Sequence, residues 1–211
     1  MTADRLRAVI SEQQPLVLGS ASPRRRDILA GLGLPFSVVP AEVAEERGAS
    51  EAAEGYLERV VNDKLKAVAQ RLARPDDYGA LLVADTIVVL DGDVLGKPKT
   101  IDEAEALVSR LVGRTHLVRT GYALACAASP GVAARYRLVE SRVSMRRASR
   151  NEVRRYAETG EGMDKAGAYA AQGIGAFLVE RIEGSYHNVV GLPACQVISD
   201  LLDLGLLEHF P

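Results

Sequence analysis

The stretch LVLGSASPRRRDILAGLGLPFSVVP, residues 16–40, decides how this chain folds. LVLGS is a short apolar run that ends in small residues, which marks a buried strand. Ser22 is placed to cap a helix, and Pro23 suits the first helical position, where a missing N–H costs nothing. The helix then covers Arg24–Ala30 and stops at Gly31 and Gly33, and FSVVP forms a second strand. The same residues pose an electrostatic question. Arg24, Arg25 and Arg26 stack at a helix start, the end of a helix that already carries partial positive charge. Either the three arginines are solvated or a strongly anionic ligand belongs there.

Working outward, Ser50 opens a long helix to about Leu72, with Leu57, Val60, Val61, Leu65, Val68 and Leu72 at helical spacing. Pro75, Asp76 and Asp77 make a loop. ALLVADTIVVLDGDVLGKP, 80–98, is a buried strand running into a hairpin, with Asp91-Gly92 as the turn. Thr100 and Glu103 form a capping box for a helix that ends at Gly113. HLVRTGYALACAA and ARYRLVESRVSMRRA are two long strands joined by a Ser-Pro-Gly loop. Ser149 and Glu152 form a second capping box, for a helix that stops at Gly160. AFLVERI, 176–182, is a strand, and a last helix from Pro193 to about Leu204 is closed by Gly205. Helices interleave with strands, yet long strands follow one another in the middle. The fold class is therefore mixed α/β, an elongated sheet flanked by helices, in a single domain over 1–211.

The formal net charge of -2 gives no global field for nucleic acid, so any anion site must be local. No run reaches the roughly 18 apolar residues of a membrane span, and MTADRLRAVISEQQP has no signal-peptide core. Cys126 and Cys195 read as buried small hydrophobes in a reducing cytoplasm. No Cys/His spacing fits zinc, and the three histidines are scattered.

Four places carry polar residues where the pattern predicts burial or tight turns. In SASPRRR, Gly19 and the serines let backbone approach a ligand, and two arginines match phosphate geometry. The alternative is a solvated basic turn; it is not a Walker A loop, because the G-K-[ST] ending is missing. Asp85 interrupts the apolar LLVADTIVV, and a carboxylate there is paired, protonated or bound to a cation. It is either a satisfied structural group or a magnesium ligand or general base. Lys97, in a G-K-P turn, suits a phosphate or is simply solvated. MDKAGAYAAQG, 163–173, offers Gln172 in a glycine-rich loop that either grips a nucleobase edge or merely connects two elements. Together the four describe an anion-and-metal site for a phosphorylated ligand.

SASPRR, VADTIVVLDGDVLGKP, DKAGAYAAQG and NVVGLP stand in one order and spacing, and they make the chain resemble the Maf family. These are cytoplasmic nucleoside triphosphate pyrophosphatases, also described as septum-formation inhibitors. The likeness runs from Leu16 to about Leu204 and is greatest to the dTTP/UTP subgroup. It implies a fold similar to inosine-triphosphate pyrophosphatases, with a cleft between two lobes. It implies cleavage between α- and β-phosphates with a divalent cation, Mg²⁺ or Mn²⁺, and allows a homodimer. On this resemblance Ser20, Arg24 and Arg25 bind phosphate, with Arg26 left to solvent. Lys64 and Lys97 face phosphates, and Asp85 is the base and a metal neighbour. Glu45 is a metal ligand, and Thr86 and Gln172 select base and sugar. Ala44 stands where the family usually carries a second acid, with Glu42 and Glu46 nearby, and AAQG replaces the more usual GIQG.

The expected substrate is thus a nucleoside triphosphate, with neither nucleic acid nor membrane as partner. Water attacks the α-phosphorus under control of Asp85. The rival expectation is a nucleotide-binding regulator of cell division without turnover. A carboxylate at position 85 argues against it, since a pure binder has no need of an acid beside a triphosphate. A further alternative is a hydrolase for modified nucleotides.

Overall fold

Alternation of apolar residues with turn formers produces seven strands and six helices among the described residues of this computed structural model, 9–48, 51–72 and 74–211. β1 (Leu16–Leu18) leads into α1 (Pro23–Gly31), with Ser22 at the N-cap in extended conformation and Pro23 in the first turn, as the sequence predicts. The Ser22 hydroxyl makes no capping bond. β2 (Phe36–Val38) and the start of β3 (Ala80–Leu90) both pair with β1 in parallel. α2 runs Ala53–Arg71 and buries Leu57, Val60, Val61, Leu65 and Val68. The start expected at Ser50 falls outside the described residues, and Ala52 takes the N-cap.

Asp91 and Gly92 have φ of 52° and 87°, the left-handed pair that a two-residue hairpin turn requires. They connect β3 to antiparallel β4 (Asp93–Leu95). α3 (Ile101–Leu111) is capped by the Thr100 hydroxyl, which accepts the Glu103 N–H. Glu103 reaches one residue further back than expected and takes the Lys99 N–H at 2.6 Å. The long strands are β5 (Thr115–Cys126) and β6 (Arg135–Met145), and α4 (Arg150–Glu158) carries the complete Ser149–Glu152 capping box. β7 begins at Val179 and ends at Glu183, later than AFLVERI predicts. Gly173–Leu178 is instead a 3-10 helix, because the Glu161 carboxylate accepts the N–H groups of Ile174 and Gly175 at 2.8 and 2.7 Å. A short helix, α5 (Tyr186–Val190), was not apparent from the sequence, and α6 spans Ala194–Asp203. The sheet is mixed, in the order β2-β1-β3-β5-β6-β7, with β4 on β3.

The chain divides into two compact units, and β3, β5 and β6 contribute residues to both. The first comprises residues up to Asp85, Gly121–Leu138 and Leu192–Pro211. Its core is β1, the start of β3 and the apolar face of α2. Gly19 is explained by packing here: a Cβ would lie 2.6 Å from Val83 Cγ1 and 2.9 Å from Val68 Cγ2. The second comprises Thr86–Thr120 and Val139–Gly191. Its core joins Val88, Val108, Leu111, Val143, Tyr156 and Leu178. Among the described residues, no helix is long and apolar enough to cross a membrane. Cys126 is partly covered and Cys195 is exposed, so the expected burial fails at both and most plainly at Cys195, which faces outward at the start of α6.

Candidate active site

Six of the predicted residues lie within the first unit, and five of them, Ser20, Arg25, Glu45, Lys64 and Asp85, converge. Ser20 follows β1 and is buried, and its hydroxyl accepts a hydrogen bond from Arg25 Nη1 at 3.0 Å. The same hydroxyl takes the Ser22 N–H at 3.2 Å, so one oxygen ties the turn to the first turn of α1. Arg25 is buried beside Asp85 and Glu45. Burial pulls its guanidinium below the usual arginine value, and the field of Asp85 opposes that pull. The three arginines are therefore not alike. Arg25 is buried, Arg24 half-buried, and Arg26 exposed with Asp27 3.9 Å away. The answer to the electrostatic question starts inside the protein: carboxylates already offset the cation at this helix start. No residue from Ser20 to Arg26 has a positive φ.

Asp85 closes the first half of β3, and its side chain is 12% exposed. Lys64 sits on the core face of α2, and its ammonium donates to Asp85 Oδ1 at 2.7 Å. It also lies 2.6 Å from Glu45 Oε1. An apolar helix face thus delivers one buried cation to two carboxylates, one from the sheet and one from the segment after β2. Sequence reading alone did not find what holds that segment. Tyr56 donates its hydroxyl to the Glu45 carbonyl at 2.9 Å. Arg59, one helical turn on, donates to the Glu46 carbonyl at 3.0 Å and grips both Glu51 oxygens at 2.7 and 2.8 Å. The Arg59 bonds hold the Glu51 carboxyl down at about 2, and burial, with Asp85 and Glu45 nearby, pushes the Tyr56 phenol up to about 12. The spacing of Tyr56 and Arg59 against the apolar stripe of α2 was the available signal.

The other predicted residues lie in the second unit. Thr86 follows Asp85, and successive strand side chains leave opposite faces. Its hydroxyl is 2.9 Å from that of Thr120, whose own hydroxyl donates to the Asn188 carbonyl at 3.1 Å. Lys97 is exposed in the turn after β4, where the Gly96 carbonyl accepts the Gly167 N–H at 3.0 Å. It shares the wall of a cavity of about 360 Å³ with Glu103 and Arg110. Gln172 is exposed at the N-cap of the Gly173–Leu178 turn, and its side chain makes no capping bond.

Among the described residues no group of three or more His, Cys, Asp or Glu side chains converges to hold a metal. Glu45 and Asp85 nevertheless meet at one point, the Lys64 ammonium. Magnesium is ordinarily held by one or two carboxylates and completes its shell with water and phosphate oxygens, so this donor pair fits such an ion arriving with a triphosphate.

A family model described as Maf-like protein matches residues 15–204. A "dTTP/UTP pyrophosphatase" of Myxococcus xanthus is 46% identical over 196 residues, covering 93% of this chain and 95% of that protein. One of Hahella chejuensis is 44% identical over 191 residues, covering 90% and 92%. Among solved structures, a nucleoside-triphosphatase / dITP/XTP pyrophosphatase of Mycobacterium abscessus overlaps with a TM-score of 0.39 at 12% identity, covering 90% of this chain and 94% of that one. The Staphylococcus aureus Ham1 protein overlaps at 0.42 and 13%, covering 90% and 98%.

Proposed function

The chain belongs to the Maf family, and from that premise we propose that it hydrolyses nucleoside triphosphates, dTTP and UTP foremost, to the monophosphate and pyrophosphate. The observation that carries the reading is the cluster at Lys64, where buried cations and carboxylates sit beside the Ser20–Arg25 turn. Such a set neutralises a polyphosphate and still leaves a carboxylate for water.

Arg24 and Arg25 present guanidinium donors to phosphate oxygens, and Ser20 fixes the direction of Arg25. Asp85 orients a water and accepts its proton as the water oxygen bonds to the α-phosphorus. The bond from that phosphorus to the bridging oxygen breaks, and pyrophosphate leaves with the bonding pair. Lys64 Nζ holds the Asp85 carboxylate in place in the protein without nucleotide, and on the family resemblance its ammonium faces the phosphates of the bound substrate. Glu45 and Asp85 would hold a divalent cation, Mg²⁺ or Mn²⁺. When bound, it supplies charge neutralisation to the triphosphate and its leaving group. Lys97 is assigned to phosphate, and Thr86 and Gln172 to base and sugar, on the family resemblance. The whole of residues 1–211 serves one activity, and the setting is cytoplasmic.

The test is pyrophosphate release from dTTP, UTP and the purine triphosphates, with Mg²⁺ and with Mn²⁺. Release from dTTP and UTP well above the purine background is expected. Tight dTTP binding with no pyrophosphate would sink the reading and leave a nucleotide-binding regulator.

A further inference from the structure

We infer that Lys64 occupies the cation position of the Glu45–Asp85 pair while the protein is free of nucleotide, so that a divalent cation binds well only together with a triphosphate. The inference rests on the reading of Glu45 and Asp85 given above.

Lys64 Nζ lies 2.6 Å from Glu45 Oε1 and 2.7 Å from Asp85 Oδ1, distances typical of charge-assisted hydrogen bonds. Its side chain is 8% exposed, so water screens the contacts little. An ammonium in that position neutralises the very oxygens that a hard cation would use. A divalent ion reaching the free protein must first displace it, and Lys64 then loses both partners at a buried position. A buried charge left unpaired is costly. A triphosphate removes that cost, because its oxygens give the released ammonium new acceptors. Lys64 thus exchanges carboxylate for phosphate, and Glu45 and Asp85 become available in the same event. The alternation couples the two ligands through one side chain. It assigns different roles to the cations of the cluster: Arg25 is fixed by Ser20, and Lys64 is the one that changes partners.

The test is Mn²⁺ binding, followed by the paramagnetic signal of the free ion and by calorimetry. It uses the full-length protein with and without a non-hydrolysable dTTP analogue. Wild type is expected to bind Mn²⁺ weakly alone and at least about tenfold more tightly with the analogue, the factor that one charge-assisted hydrogen bond supplies. Lys64→Met is expected to bind Mn²⁺ about tenfold more tightly than wild type without nucleotide. Lys64→Arg, which keeps the charge, is expected to stay weak. Lys66→Met, which removes an exposed charge two residues away, is expected to change little. Tight Mn²⁺ binding by the free wild-type protein overturns the inference. So does an equal gain in the Lys64→Met and Lys66→Met variants, which would reveal a general field and not an exchange. If Lys64→Met does not fold, Lys64→Gln, which also removes the charge, takes its place and is expected to show the same gain over wild type without nucleotide, where no phosphate of the analogue can bind the ion. Pyrophosphate release measured on the same preparation keeps the two readings apart. Turnover without the Mn²⁺ differences overturns the exchange alone, and no turnover overturns the function.

Discussion

Two buried aspartates in the first unit hold positively charged partners in different ways. Asp200, on α6, is fully buried. Its Oδ2 accepts the Tyr122 hydroxyl at 2.5 Å and its Oδ1 accepts Arg137 Nη2 at 2.6 Å, with Arg135 3.6 Å away. Burial pushes the Tyr122 phenol well up, and the Asp200 bond adds to it. Asp85 also accepts a close cation, but Lys64 divides itself between Asp85 and Glu45, and Glu45 is 35% exposed. Asp200 is committed on both oxygens and closed to solvent. Asp85 belongs to a group that opens outward through Glu45. A buried carboxylate is therefore not in itself a sign of chemistry. What separates the two is whether the partner is shared with a group that a ligand can reach.

The strongest test of that contrast is a pair of Asp→Asn changes. Asp85→Asn is expected to lower pyrophosphate release from dTTP by about 10²–10⁴, the range for a general base, with the protein still folded by circular dichroism. Asp200→Asn is expected to cost about 3 kcal/mol of stability, as breaking a buried ion pair does, while turnover per folded molecule stays within about twofold. If Asp200→Asn lost turnover without losing stability, the division between the two would fail.

A buried titratable group without a charged partner sharpens the comparison. His116, in the second unit, has its Nε2 2.8 Å from the Tyr169 hydroxyl, and its ring sits edge-on to that tyrosine. Burial lowers it from 6.5 to about 4. The folded protein keeps this ring neutral while the unfolded chain takes up a proton as pH falls through 6.5. Stability from this source is full above that pH and is lost between 6.5 and 4, by about 3 kcal/mol. Urea midpoints at pH 7.5 and pH 4.5 should differ less in His116→Gln than in wild type.

The smallest effects separate the arginines. Ser20→Ala removes the hydroxyl that Arg25 uses and should raise KM for dTTP about fivefold, the worth of about 1 kcal/mol. Arg26→Ala touches an exposed group and should leave KM and melting temperature essentially unchanged. An Arg26 effect equal to that of Ser20 would return the cluster to three equivalent cations.

Much of this was legible in advance where a residue contradicted its surroundings. Asp85 stands out inside an apolar strand, and Pro23 followed by three arginines stands out at a helix start. Asp200 is equally buried but lies in ISDLLDL, where an acid on an amphipathic helix looks ordinary, and only Tyr122 and Arg137, distant in sequence, reveal its role. The same is true of Tyr56 and Arg59, whose partners are backbone carbonyls after β2. Residues 176–178 have strand-like composition, yet one Glu161 carboxylate draws them into a 3-10 helix. Local pattern carries the regular elements well. It carries little about side chains that bond across tens of residues, and these hold Glu45 in place.

Two of the fastenings of the segment after β2 differ in how far water reaches them. The Tyr56 hydroxyl on the Glu45 carbonyl is a neutral contact on a mostly covered side chain. The Arg59–Glu51 fork lies further along, and its guanidinium side chain is 41% exposed. Ionic strength weakens contacts of the second kind and hardly touches the first, since at roughly 1 M salt the Debye length falls to about 3 Å. Concentrated salt therefore loosens the outer end of the segment at Glu51 while Glu45 remains anchored. The protein should tolerate brine at its carboxylate pair better than along the rim that leads to it.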